Sequence, residues 1–152
     1  MATWQELEAA EPALAEQGRW LLAQNQGVAF LATVRRGGSP QVHPIMPYIA
    51  EGRLWALIVS LSSKHGDLLR DGRYALHAIP AGPENLELHI EGRARLDEDP
   101  TMRAAVEAAA GRSTHDFESL FELGIERALG TRWSGWGTAE AWPEYTRWRA
   151  ER

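Results

Sequence analysis

Cysteine is absent from the 152 residues, which excludes disulfides, thiolate metal sites and a cysteine nucleophile together. Positive charge is scarce as well. Sixteen Lys and Arg face 21 Asp and Glu, a formal net charge of −5, which argues against broad contact with a nucleic-acid backbone. The strongest apolar run, residues 54–59, is far short of the roughly 20 residues a membrane-spanning helix requires. The opening segment MATWQELEAAE is acidic and has no apolar centre, so it does not read as a signal peptide. A soluble, cytoplasmic protein is expected. Lysine is nearly missing too: of the sixteen cationic side chains, only Lys64 is a lysine.

Several standard motifs are also lacking. There is no Gly-x-Ser-x-Gly elbow, since Ser134 lies in Arg-Trp-Ser-Gly-Trp-Gly, and there is no phosphate loop of the Walker type. Gly135 and Gly137 make half of a dinucleotide fingerprint without its third glycine. The five histidines show neither HxH nor HxxxH spacing; His77 and His89 meet only if their segments pair as neighbouring strands, where a satisfied surface pair is the simpler reading than a metal site.

What is present is a globular composition, with 44% hydrophobic and 24% charged residues. At this length a single domain over residues 1–152 is expected, able to bury about two-thirds of its unfolded surface. Thr3 and Glu6 have capping-box spacing, and a helical pattern interrupted by Pro12 runs over 4–26. The period then changes. Residues 28–34 and 41–50 flank the turn cluster Arg35-Arg36-Gly37-Gly38-Ser39-Pro40 and predict a β-hairpin. Strands follow over 54–60, 73–79 and 86–96, the last alternating Leu86, Leu88 and Ile90 with Glu87, His89 and Glu91. Helices are predicted over 64–70, 100–110 and 115–123, a sixth strand over 125–133 and a terminal helix over 143–151. Six short strands joined mostly by tight turns predict a mainly β fold with accessory helices, an antiparallel barrel over about 28–136.

The stretch with most chemistry is Ser60-Leu61-Ser62-Ser63-Lys64-His65-Gly66-Asp67. An apolar strand hands over to a helix there, so hydroxyls, free amide N–H groups and one ammonium converge, as an anionic phosphate requires. A plain helix cap followed by solvated polar residues explains the same stretch. Trp133, Trp136, Trp142 and Trp148 crowd the C-terminal segment, where they serve either a ligand rim or interface or the packing of the barrel.

The segments FLATVRRGGSPQVHP, LWALIVSLSSKHGDLLRDGRYALH and IEGRARL, in that order over about 28–96, resemble the pyridoxamine 5′-phosphate oxidase-like, flavin-binding split-barrel family. The resemblance implies a six-stranded Greek-key split barrel that forms a homodimer, with FMN sites between the subunits. It places the cofactor phosphate at Ser62, Ser63 and Lys64, with Ser60 near the strand end. The flavin ring is expected against the first hairpin, at Val34, Arg35, His43 and Pro44, covered by Trp133 from the other subunit. His43 is the candidate for acid–base chemistry. The C-terminus departs from true pyridoxamine phosphate oxidases, whose Arg-bearing phosphate-gripping motif is not matched in WPEYTRWRAER. The resemblance therefore implies an FMN-dependent oxidoreductase for another small conjugated or heteroaromatic substrate. A reductase using the deazaflavin coenzyme F(420) and a non-catalytic flavin- or haem-binding dimer are the alternatives.

Overall fold

A computed structural model describes residues 1–151. The Thr3 hydroxyl accepts from the Glu6 amide at 3.2 Å and the Glu6 carboxylate accepts from the Thr3 amide at 2.7 Å, so a complete capping box opens α1, Trp4–Ala10. Glu11, placed before a proline, leaves helical geometry at ψ 71°, and Pro12 starts a second helix, α2, Pro12–Leu22. The helical pattern over 4–26 is thus divided at Pro12 into two helices, and the second ends at Leu22, four residues before the expected end.

Eight strands follow, interleaved with two more helices: β1, Ala29–Val34; β2, Pro40–Ile45; β3, Pro47–Ala50; β4, Arg53–Val59; α3, Ser63–Arg70; β5, Arg73–Ala78; β6, Glu87–Asp97; α4, Pro100–Ala110; β7, Glu118–Ser134; and β8, Trp142–Arg149. All pairings are antiparallel in one open sheet of order β2-β1-β5-β6-β7-β4-β3, with β8 added to β7. The mainly β architecture expected from sequence is present, with eight strands in place of six. The segment 41–50 divides at Met46, because β2 pairs with β1 whereas β3 turns to β4.

Two predicted helices are strand instead. Residues 115–123 belong largely to β7, which buries both of its faces there: Phe121 and Leu123 point into the main core, while Leu120 packs with Trp55 and Val106 beneath α4. Burial on both faces erases the period of two, so the run imitates a helix. Residues 143–151 were expected as a terminal helix, yet Trp142–Arg149 pairs residue by residue with Arg127–Ser134. Trp142, Tyr145 and Trp148 have helical spacing, but aromatic bulk suits a strand and the backbone of β7 is available to pair.

The main core gathers Leu31, Leu54, Leu76, Ile90 and Phe121 from the sheet and Trp4, Leu7 and Leu21 from the first two helices. Among the described residues no helix is long and apolar enough to cross a membrane. Within α3, Gly66 is exposed and a Cβ there meets nothing within 4 Å. Gly66→Ala is therefore expected to raise stability by about 0.5–1 kcal/mol, because the helix is retained while the unfolded chain loses freedom. Urea midpoints of the two proteins, compared at equal slope, check this.

Candidate functional site

The β1–β2 turn is closed by bonds from the Arg35 amide to the Ser39 carbonyl (2.9 Å) and from the Gly38 amide to the Arg35 carbonyl (2.8 Å), with Gly38 at φ 87°. It leaves Arg35 and Arg36 exposed at the tip. Below the tip, strand alternation sorts the side chains. Leu31 lies opposite His43 and Thr33 opposite Gln41, on the face that carries the core; Phe30 lies opposite Pro44 and Val34 opposite Pro40, on the outer face. His43 and Pro44 thus point to opposite sides of the hairpin. Val34, Arg35, His43 and Pro44 do not form one wall: Val34 and Pro44 belong outside, His43 inside.

Beyond β4, the Ser60 amide bonds the Phe117 carbonyl at 2.8 Å and the Ser62 amide bonds the Val59 carbonyl at 3.0 Å. Ser62 occupies the N-cap position of α3, yet its hydroxyl donates to the Val59 carbonyl at 2.6 Å and caps no amide. The first-turn N–H groups of α3 therefore keep no side-chain acceptor. Ser63 is exposed, and Lys64 is half-buried with no ion-pair partner among the described residues. One turn on, Asp67 is buried; it accepts from the Thr33 hydroxyl at 2.9 Å and from the Arg70 guanidinium at 3.1 Å. Arg70 also donates to the Val34 carbonyl, which ties α3 to the hairpin.

These pieces meet around His43. Burial holds its imidazole below the ordinary histidine value, the nearby Lys64 and Arg35 charges lower it further, and Asp67 opposes them. Its buried Nε2 has no hydrogen-bond partner, nor has the buried Oε1 of Gln41. The structure thus brings His43, Lys64 and Arg35 within electrostatic reach of one another. It adds Asp67, Thr33 and Arg70, which the sequence reading did not single out; the Asp-x-x-Arg spacing from 67 to 70 was the available signal. Trp133 stands apart within one chain. Its indole donates to Glu87 at 3.0 Å and stacks edge-on against Trp136 at 5.3 Å, near the far end of β7.

On the outer face, Pro44 lines a cavity of about 270 Å³ with Val28, Met46, Tyr48, Leu57 and Arg112. Leu57 belongs to β4, the strand that leads into the Ser60–Lys64 turn. Arg112 in turn grips the buried Glu118 through bonds of 2.7 and 2.9 Å and, aided by the His115 amide, holds its carboxyl down to about 2. Because that folded value lies below the unfolded one, the stabilisation is full above the ordinary carboxylate value of 4.5 and is lost as pH falls towards 2. Arg112→Gln is expected to lower stability at pH 7 and to flatten the decline below pH 4.5. Denaturant midpoints at a series of pH values read both effects.

An open, antiparallel sheet of eight strands, with one helix tied to its first hairpin and another covering β3 and β4, is the pyridoxamine 5′-phosphate oxidase-like fold. The pyridoxamine 5′-phosphate oxidase family model matches residues 16–132, and the chain belongs to that family. Among curated proteins none matches the chain. A heme binding protein from Mycobacterium smegmatis superimposes with a TM-score of 0.65 at 20% identity, covering 90% of this chain and 58% of its own length. A NimC/NimA family protein from Clostridium acetobutylicum does so with a TM-score of 0.60 at 18% identity, covering 96% of this chain and 94% of its own. Both are likenesses of fold.

Proposed function

We propose that the protein is an FMN-binding oxidoreductase acting on a small conjugated or heteroaromatic substrate, as a homodimer of one flavin-binding domain per chain in the cytoplasm. The observation that carries this reading is the unpaired Lys64 at the uncapped start of α3, within electrostatic reach of His43, whose buried Nε2 lacks a partner. The first-turn amides of Ser63 and Lys64, which no side chain caps, and an ammonium suit a phosphate, and the orphaned ring nitrogen suits a polar ligand edge. Lys64 and Ser63 would hold the phosphate; the amide and the hydroxyl of Ser62 are both engaged by the Val59 carbonyl, so Ser62 shapes the turn beside them. Pro44, Tyr48 and Leu57 offer the apolar wall for a ring on the outer face, across the edge strand from His43, with Trp133 of the partner subunit as its cover.

When bound, the flavin supplies the hydride chemistry. His43 stands on the face opposite Pro44, where its partnerless Nε2 is available to a polar group of the cofactor, while Asp67 fixes the surrounding helix and hairpin. Pyridoxamine phosphate is not the expected substrate. Of the C-terminal arginines, Arg132 pairs with Glu84 at 3.1 Å, and Arg147 and Arg149 line a separate groove with His89 and Leu129, so none stands beside Pro44 and Tyr48 to grip a substrate phosphate there.

Two other readings have specific support. Arg35 and Arg36, exposed at the hairpin tip, suit the anionic tail of the deazaflavin F(420). The fold likeness to a heme binding protein supports a carrier role for the dimer. The visible spectrum of the purified protein, followed by fluorescence titration with FMN and with F(420), tests the reading. Tight, saturable FMN binding to a species that sediments as a dimer is expected. A Soret band, selective F(420) binding, or a stable monomer with no flavin affinity rejects it.

A further inference from the structure

The outer face of the sheet holds a second concave region remote in sequence from Lys64 and His43. A groove of about 380 Å³ lies across β6, β7 and β8. Register fixes its floor. His89, Leu129 and Arg147 are cross-strand neighbours in one row, and Glu91, Arg127 and Arg149 form the next. Directly paired residues share a face, so all six side chains project to the same side. The groove is apolar along Leu129 and walled by an imidazole on one side and guanidinium groups on the other.

Its charge runs against that of the chain. Three arginines meet one carboxylate in a protein whose net charge is −5. Glu91 is already shared, 3.2 Å from His89 Nε2 and 3.6 Å from Arg127. Arg147 is held by its plane over Tyr145 and has no carboxylate partner among the described residues. Arg149 likewise has no ion-pair partner there. Two planar cations beside an apolar floor match a planar anion with an apolar body, because guanidinium forks bind carboxylates in pairs and stack on flat rings. The row from β6 to β8 spans two strand spacings, about 10 Å, which admits one or two fused rings. The histidine side is aromatic over a longer stretch: His77 stands 6.0 Å from His89, and the half-exposed Phe30 lies opposite His77.

We infer that this groove is a binding site for a small aromatic carboxylate, with the carboxylate on Arg147 and Arg149 and the ring over Leu129 against His89. The site shares no residue with the proposed FMN site and does not depend on it.

Calorimetric titration of the protein as purified with 2-naphthoate, and with its neutral isostere 2-naphthamide, tests the inference. The acid is expected to saturate at one molecule per chain, at least about tenfold tighter than the amide. The R147Q/R149Q double variant should lose that preference while its melting temperature and FMN affinity stay unchanged. On the unaltered protein, the amide resonances of Leu129 and Arg147 should shift with 2-naphthoate while that of Lys64 does not. Equal affinity for acid and amide, undiminished binding to the double variant, absence of saturable binding, or displacement of 2-naphthoate by FMN each overturns it.

Discussion

Lys64→Ala is expected to bind FMN about 10- to 150-fold more weakly than the unaltered protein, with its fold and oligomeric state unchanged. The range follows from a charge-assisted hydrogen bond of about 1.5–3 kcal/mol. Lys64 is the right residue to remove because it has no other duty: no ion pair ties it to the fold, whereas Arg70 on the same helix is engaged by Asp67 and the Val34 carbonyl. Its loss therefore reports on the ligand and not on the helix. Riboflavin, which lacks the phosphate, should bind both proteins alike. Equilibrium titration of flavin fluorescence measures all four affinities. An unchanged FMN affinity removes the phosphate assignment, and an equal loss for riboflavin moves Lys64 from the phosphate to the ring.

Gly92→Ala carries the largest expected cost to stability. Gly92 is buried beside the bulge where the β6–β7 register shifts, between Glu91↔Arg127 and Gly92↔Ile125, leaving Glu126 without a partner. A Cβ at Gly92 collides with the carbonyl oxygen of Gly124 and reaches its carbon at 3.0 Å. The obstacle is backbone in the middle of the longest strand pairing, so it has no rotamer through which to retreat. Relief requires breaking the bulge, which couples the core strand to the N-terminal bridge at Ala2 and Ile125. The loss should exceed about 4 kcal/mol, the range reserved for named structural failures, and lower the melting temperature by on the order of 10 °C. Gly66→Ala, the same chemical change in open space, is the internal control. A Gly92→Ala protein melting with the parent shows that the bulge can be dispensed with.

The parts of the fold legible in the sequence are those where one face is wet. β6 shows its alternation because His89 and Glu91 face outward while Leu88 and Ile90 enter the core. β7 hides its nature because Leu120 and Phe121 are buried on opposite faces, and β8 because its three aromatic residues carry a helix-like spacing on a strand paired only with β7. At the candidate site, Lys64 stands out as a solitary lysine at a strand-to-helix junction. Asp67 does not, since an acidic residue on a short helix reads as solvated until Thr33 arrives from another strand to bury it. The separation of His43 from Pro44 was written in their adjacency, but only pairing with Leu31 and Phe30 shows which of the two faces inward.

The bonds joining Thr33 to Asp67 and Arg70 to the Val34 carbonyl have a kinetic consequence. They clasp the backbone of the hairpin that carries Arg35 and His43 to the helix that carries Lys64. The backbone ordering entropy of that arrangement is met when the chain folds, and only that of the Arg35 and Lys64 side chains remains to be met when a ligand arrives. Encounter, not closure of a loop, then limits association, so differences in affinity among ligands of this pocket will be expressed as differences in how slowly they leave.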